Sequence, residues 1–277
     1  MEKPVTLGAP LTSLPGIGPQ RAALFARLNV RTVGELLRLY PRTYEDRTRL
    51  VSIASLEAGT PACFEAAVVT TPRTNRIPKP GSRMLEVTKF TVADDTGRLN
   101  LTFFNAAHSA GALRVGERYC FYGVLTGDYA AYGMTNPLFE PCDGPARVTR
   151  RILPVYPLTA GLTNSMVLRA QAQAVSRCAG LLPETLPPEL LRRYGLCGAA
   201  EACREIHCPT SAAALGRAQR RLVFEEFFLF SAALAIVRSR RTAHSCPAWQ
   251  TELAPFFAAM ETKSWPSAFS PLIATNR

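Results

Sequence analysis

The chain has 277 residues, enough for two or three small domains, and a formal net charge of +11, from 32 lysines and arginines against 21 acids. That surplus points to an anionic partner, nucleic acid or a membrane surface. The longest apolar run, Phe227 to Val237, is 11 residues, interrupted by Ser231, and too short to span a bilayer.

The first segment, 1–50, reads as a helical hairpin. Gly16 and Gly18 flank Ile17 between Pro15 and Pro19, and glycine permits the backbone conformations that a tight turn needs. Pro19 suits the first turn of a helix, and Ala22, Leu24, Phe25 and Leu28 supply an apolar face. Thr32 and Glu35 have the spacing of a capping box for a second helix, which Pro41 ends. The amides of Gly16 and Gly18 could seat a phosphate at a helix N-terminus; a plain turn between packed helices explains the same residues.

From 51 to 145 the pattern turns strand-like. Cys63–Thr71, Met84–Ala93, Leu99–Asn105, Arg118–Leu125 and Tyr132–Glu140 read as five strands, with a short helix within Asn105–Leu113. Five strands with a helix in that place describe an OB-type antiparallel β-barrel. The stretch Pro72–Arg83 reads as a loop carrying Arg73, Arg76, Lys79 and Arg83 with no acid, and a second loop offers Tyr129 and Tyr132. Cations beside aromatics suit a strand whose phosphates are neutralised and whose bases stack; a solvated hairpin tip and barrel-end packing are the plainer alternatives. In the third strand, period two buries Leu99, Leu101 and Phe103 and leaves Phe104 on the polar face with Asn100 and Thr102. An aromatic there either stacks on a base or packs under a loop.

Residues 146–241 hold 14 basic residues against 6 acids and read as a basic helical connector: helices near Thr163–Leu181, Pro188–Tyr194, Ala199–Ile206 and Ser211–Arg241. In the last, the stretch 222–237 is apolar on nearly every side, as in a helix that is buried all round, so a protein partner is expected to cover it. Residues 242–277 show no periodicity and form an atypical tail. The eight cysteines contain no Cys-x-x-Cys pair and read as reduced thiols of a cytoplasmic protein. Cys197, Cys203, His207 and Cys208 fit no common zinc spacing, so no metal is expected. Met1–Pro10 lacks the pattern of a signal peptide.

Several separated stretches, LPGIGPQRA at 14–22, YPRTYEDRT at 40–48, DDTGRLNLTFFN at 94–105, RILPVYPLT at 151–159 and RRLVFEEFFLF at 220–230, resemble in one consistent order the N-terminal part of RecG-type ATP-dependent DNA helicases. The resemblance implies an α+β chain whose OB-fold wedge splits branched DNA, at replication forks and Holliday junctions, in recombination and repair. It implies that Phe104 stacks on an unpaired base and that His108 stands where a second aromatic often follows. Asn136-Pro137-Leu138-Phe139 departs from the His-Pro-Glu pattern common near the fifth strand. No Gly-x-x-x-x-Gly-Lys-Ser/Thr loop and no Asp-Glu pair occurs, so ATP and magnesium are expected only with motor domains that this chain lacks. The expectation is a truncated or frameshifted RecG-like chain that binds branched or single-stranded DNA without hydrolysing ATP. An OB-fold protein-interaction module is the alternative. A ligase would need a Lys-x-Asp-Gly motif, which is absent.

Overall fold

The computed structural model describes residues 5–78, 84–127, 132–144 and 146–241. The chain divides into two compact units: Glu45–Leu153 is one, and the segments before and after it together make the other. Lys79, Arg83, Tyr129 and the tail 242–277 lie outside the described residues.

The N-terminal hairpin consists of helices α1 (Pro19–Ala26) and α2 (Val33–Leu37). Gly16 sits at φ +79, a conformation L side chains avoid, and Gly18 is the N-cap of α1 with Pro19 at the first helical position. The capping box of α2 is complete. Thr32 Oγ1 accepts from the Glu35 amide at 3.2 Å, while Glu35 Oε2 accepts from the amides of Arg31 and Thr32 at 2.7 and 3.0 Å. Those two amides hold the Glu35 carboxyl below its ordinary range.

The chain then runs through β1 (Thr43–Asp46), β2 (Leu50–Val51), β3 (Pro61–Val68), β4 (Arg73–Ile77), β5 (Leu85–Ala93) and β6 (Arg98–Phe104). A short helix α3 (Ala107–Ala110) precedes β7 (Arg118–Thr126), β8 (Gly133–Thr135) and β9 (Leu138–Pro141). Strands β3, β5, β6, β8 and β7 are neighbours in that order, and β7 pairs back onto β3, closing a five-stranded barrel. The α+β class and the OB-type barrel expected from the sequence are borne out, with one parallel pair, β6–β8, in the ring. Gly133 allows that pairing, since a Cβ there would lie 2.9 Å from the Asn100 carbonyl oxygen. Alternate residues of each strand fill the interior. Phe64 and Phe121 stack at 5.4 Å across the β3–β7 seam, and Phe90 stacks on Phe103 at 5.7 Å. Each such fully buried ring stabilises the barrel by about 1.5–3 kcal/mol.

Two strand expectations are corrected. The stretch read as a basic loop is in its first half a strand, β4, which forms an edge hairpin with β5 from Arg73↔Lys89 to Ile77↔Leu85. All five of its residues are exposed, so no apolar alternation announced it. The fifth strand is broken into β8 and β9 because Asn136 takes a left-handed φ of 46 and Pro137 has no amide to donate.

Strand β10 (Ile152–Val155) pairs with β1 and leads to helices α4 (Asn164–Cys178), α5 (Pro188–Tyr194), α6 (Ala199–His207) and α7 (Ala212–Arg241). The hairpin and connector, read as separate segments from the sequence, share one core in which Phe25, Val33 and Leu36 join Val167, Ala174 and Cys178. Polar contacts add to it. Gln171 Nε2 donates to the Leu36 and Leu39 carbonyls at 2.7 and 3.2 Å, tying α4 to the end of α2 and the residues just after it. His207 lies 2.9 Å from both the Leu37 carbonyl and Tyr156 Oη. A carbonyl only accepts, so Nε2 carries the proton and Nδ1 accepts from Tyr156. Both ring nitrogens are thereby occupied. The fully buried Arg221 spans Glu184 at 2.5 Å and Glu225 at 2.7 Å. The outer half of α7 departs from the expected burial: Leu229, Phe230, Leu234, Ile236 and Val237 are exposed. Among the described residues no helix is long and apolar enough to cross a membrane.

Candidate nucleic-acid interface

The ladder registers decide which side chains share a face. Val87 of β5 pairs with Phe104 of β6, Lys89 with Thr102, and Thr91 with Asn100. Arg73 of β4 pairs with Lys89, and Asn75 with Val87. Directly opposed residues project to the same side of a sheet. Leu101 and Phe103, the intervening residues of β6, fill the barrel, so this set faces outward. On β8, Gly133 and Thr135 pair with Asn100 and Thr102 and extend the same face. It carries Arg73, Lys89 and Arg98, hydroxyls and amides, and the ring of Phe104, with no acidic residue on this face; Glu86 of β5 has the opposite parity.

Phe104 is the last residue of β6, and its ring is 38% exposed. An aromatic this open at the end of a strand is not a core side chain. Its backbone is held from two directions. The Phe104 amide donates to Asn136 Oδ1 at 2.8 Å, and the Asn136 amide returns to the Thr102 carbonyl at 2.8 Å. The next residue, Asn105, turns left-handed at φ 52; its amide donates to the Glu86 carbonyl at 2.8 Å, and its Oδ1 accepts from the Glu86 amide at 3.2 Å. The Asn-Pro-Leu-Phe stretch, which departs from the family pattern in sequence, thus supplies the side chain that fixes Phe104. Phe139 packs edge-on against Phe103 at 5.9 Å.

The other sequence-predicted residues are placed as follows. Arg73 lies on the Phe104 face. Arg76, three residues on, falls on the reverse side, where its Nε meets Glu86 Oε1 at 3.1 Å. His108 is exposed on α3. Tyr132 immediately precedes β8 and lines a cavity of about 360 Å³ with Ile53, Leu99, Leu125 and Arg98. That cavity lies at the Arg98 end of β6, six residues or roughly 20 Å along the strand from Phe104, so the two aromatics do not form one platform. Gly16 and Gly18 belong to the helical unit. The Ile17 amide there is spent on the Leu14 carbonyl at 3.2 Å, and Arg21 Nη1 donates to the Gly16 carbonyl at 2.5 Å. Lys79, Arg83 and Tyr129 lie outside the described residues. Sequence reasoning missed Lys89 and Arg98; the signal was their place on the outward parity of strands β5 and β6.

A family profile described as the RecG wedge domain matches residues 11–177. The ATP-dependent DNA helicase RecG of Escherichia coli (strain K12) is 32% identical over 248 residues, which cover 83% of this chain and 34% of the relative. RecG of Synechocystis sp. is 30% identical over 239 residues, 81% of this chain and 28% of the relative. A solved structure of RecG bound to a three-way DNA junction superposes with a TM-score of 0.77 at 24% identity, covering 96% of this chain and 36% of that one, a likeness of fold. The chain spans about a third of the length of the curated relatives it matches. With the profile matched over more than half of its residues, the chain belongs to the RecG wedge domain family.

Proposed function

We propose that the outward face of β4, β5, β6 and β8 binds branched and single-stranded DNA, with Phe104 stacking on an unpaired base where strands part. The observation that carries this reading is the exposed Phe104 ring on an acid-free face shared with Arg73 and Lys89. Phosphates of a strand lying across β4 and β5 meet the two cations, and the base beyond them reaches the ring. One such stack is worth about 1–3 kcal/mol. Lys79, Arg83, Tyr129 and Tyr132 are further candidate contacts, and His108 offers a second, smaller stacking surface four residues past Phe104.

In a protein of the relatives' length, this region would act as the wedge of a helicase that remodels forks and Holliday junctions in recombination and repair. ATP and magnesium belong to that motor. The residues of this chain do not fit them, since no glycine-lysine phosphate loop is present, and no step of DNA binding depends on nucleotide. Further protein covers the exposed apolar side of α7. A protein-docking barrel is the second reading, favoured by that same helix.

Fluorescence anisotropy with labelled fork, single strand and duplex of equal length tests the proposal. Fork and single strand should bind more tightly than duplex, with no change on adding ATP and magnesium. Equal affinity for all three would remove the wedge role, and protein binding without any DNA binding would favour the docking module.

A further inference from the structure

Among the described residues, one group of metal-ligating side chains converges, and it shares no residue with the Cys197, Cys203, His207 and Cys208 group set aside in the sequence. In the seam that closes the barrel, Glu65 of β3 pairs with Cys120 of β7. Phe64 and Phe121 point inward, so Glu65 and Cys120 share the outer side. Past the end of β9, the Cys142 amide reaches the Arg118 carbonyl at 3.5 Å, which returns Cys142 to the same place. Cys120 Sγ and Cys142 Sγ are 3.2 Å apart, and a Glu65 oxygen lies with both sulfurs inside a 4.8 Å span.

We propose that Glu65, Cys120 and Cys142 form a binding site for a thiophilic divalent cation, zinc above all, which clamps β3, β7 and the end of β9 together. Zinc bonds of about 2.3 Å to sulfur and 2.0 Å to oxygen in a tetrahedron place two sulfurs about 3.8 Å apart and sulfur and oxygen about 3.5 Å apart. The two sulfurs, 3.2 Å apart, need to separate slightly, and the carboxylate oxygen lies within 4.8 Å of both, so closure needs small side-chain rotations. The fourth position is left to water. Binding releases both thiol protons to solvent, and two thiolates with one carboxylate leave the bound zinc at a net charge of −1. Arg118 offsets that charge, because its Nε already donates to Glu65 Oε1 at 2.8 Å; a guanidinium bonded to a ligating carboxylate is the outer support such sites use. Arg150 donates to the Cys142 carbonyl at 2.6 Å and fixes the loop that carries the third ligand. Burial pushes both thiols up from their ordinary range, so without a metal they stand as protonated, slowly oxidised thiols. The set joins strands distant in sequence and therefore has no zinc spacing.

The test is titration of the reduced, purified chain with cobalt(II) alone, read by absorbance, followed by competition with zinc. One equivalent should give a sulfur-to-cobalt charge-transfer band in the near ultraviolet together with visible bands of a tetrahedral ion, and zinc should abolish both. Cys120→Ser and Cys142→Ser should each lose most of the band. Glu65→Gln should keep it while weakening affinity ~10-fold or more, and Cys63→Ser should leave it intact. Zinc should raise the melting temperature of the native chain and of Cys63→Ser, raise that of Glu65→Gln less, and leave those of Cys120→Ser and Cys142→Ser unchanged. Absence of the band, or its survival in Cys120→Ser and Cys142→Ser, would overturn the site. So would a Cys120–Cys142 disulfide that, once reduced, still takes up no metal.

Discussion

The amide of Phe104 donates to the side chain of Asn136 at 2.8 Å, so the exposed aromatic at the end of β6 is anchored by the residue that breaks the last strand of the barrel. Asn136 achieves this from a left-handed conformation, which asparagine tolerates better than most residues. Asn136→Gly keeps that backbone and removes the anchor. Fork affinity should fall by about 1 kcal/mol, roughly 5-fold, the worth of one hydrogen bond. Anisotropy measures it, and an unchanged dissociation constant would show that Phe104 needs no such support.

The two arginines of β4 should behave differently. Arg73 stands beside Lys89 on the Phe104 face, whereas Arg76 lies on the other side against Glu86. Arg73→Ala and Lys89→Ala should each reduce the slope of log affinity against log salt by ~0.7, one single-strand phosphate contact. Arg76→Ala should leave the slope as it is. A slope that responds to Arg76 and not to Arg73 would put the DNA on the reverse of the sheet.

Stability should depend on pH through His207. Burial between the Leu37 carbonyl and Tyr156 lowers its pKa from 6.5 to about 4, against the smaller upward effect of the Leu37 bond. The folded state therefore favours neutral imidazole. The unfolded chain binds the extra proton between pH 6.5 and 4, so the contribution is complete above 6.5 and is lost as pH falls through that window. The loss is about 3 kcal/mol. Denaturant unfolding followed by circular dichroism from pH 7.5 to 4 measures it. His207→Gln should be less stable at pH 7 and flatter across the window; a variant with the same pH dependence as the native chain would clear His207 of the effect.

Local pattern made much of the fold legible. The capping box at Thr32 and Glu35, the alternation of Leu99, Leu101 and Phe103, and the helical periods of the connector depend on near neighbours, and each appears where the sequence puts it. What stayed hidden depends on pairing at a distance. The basic stretch from Arg73 has no buried residue, so only its ladder with β5 makes it a strand. Lys89 joins Arg73 through that same ladder. Glu65, Cys120 and Cys142 meet because the barrel closes, a relation no spacing in the chain records. Exposed apolar residues on α7 show the opposite case: their pattern reads as buried, while among the described residues they stand exposed.

The most direct measurement is the dissociation constant of a labelled fork for Phe104→Ala and Phe104→Trp beside the native chain. The account predicts a loss of ~1–3 kcal/mol, at least ~5-fold, for alanine, and retention for tryptophan, which keeps a stacking face. Native affinity in Phe104→Ala would contradict the claim that this ring meets the DNA.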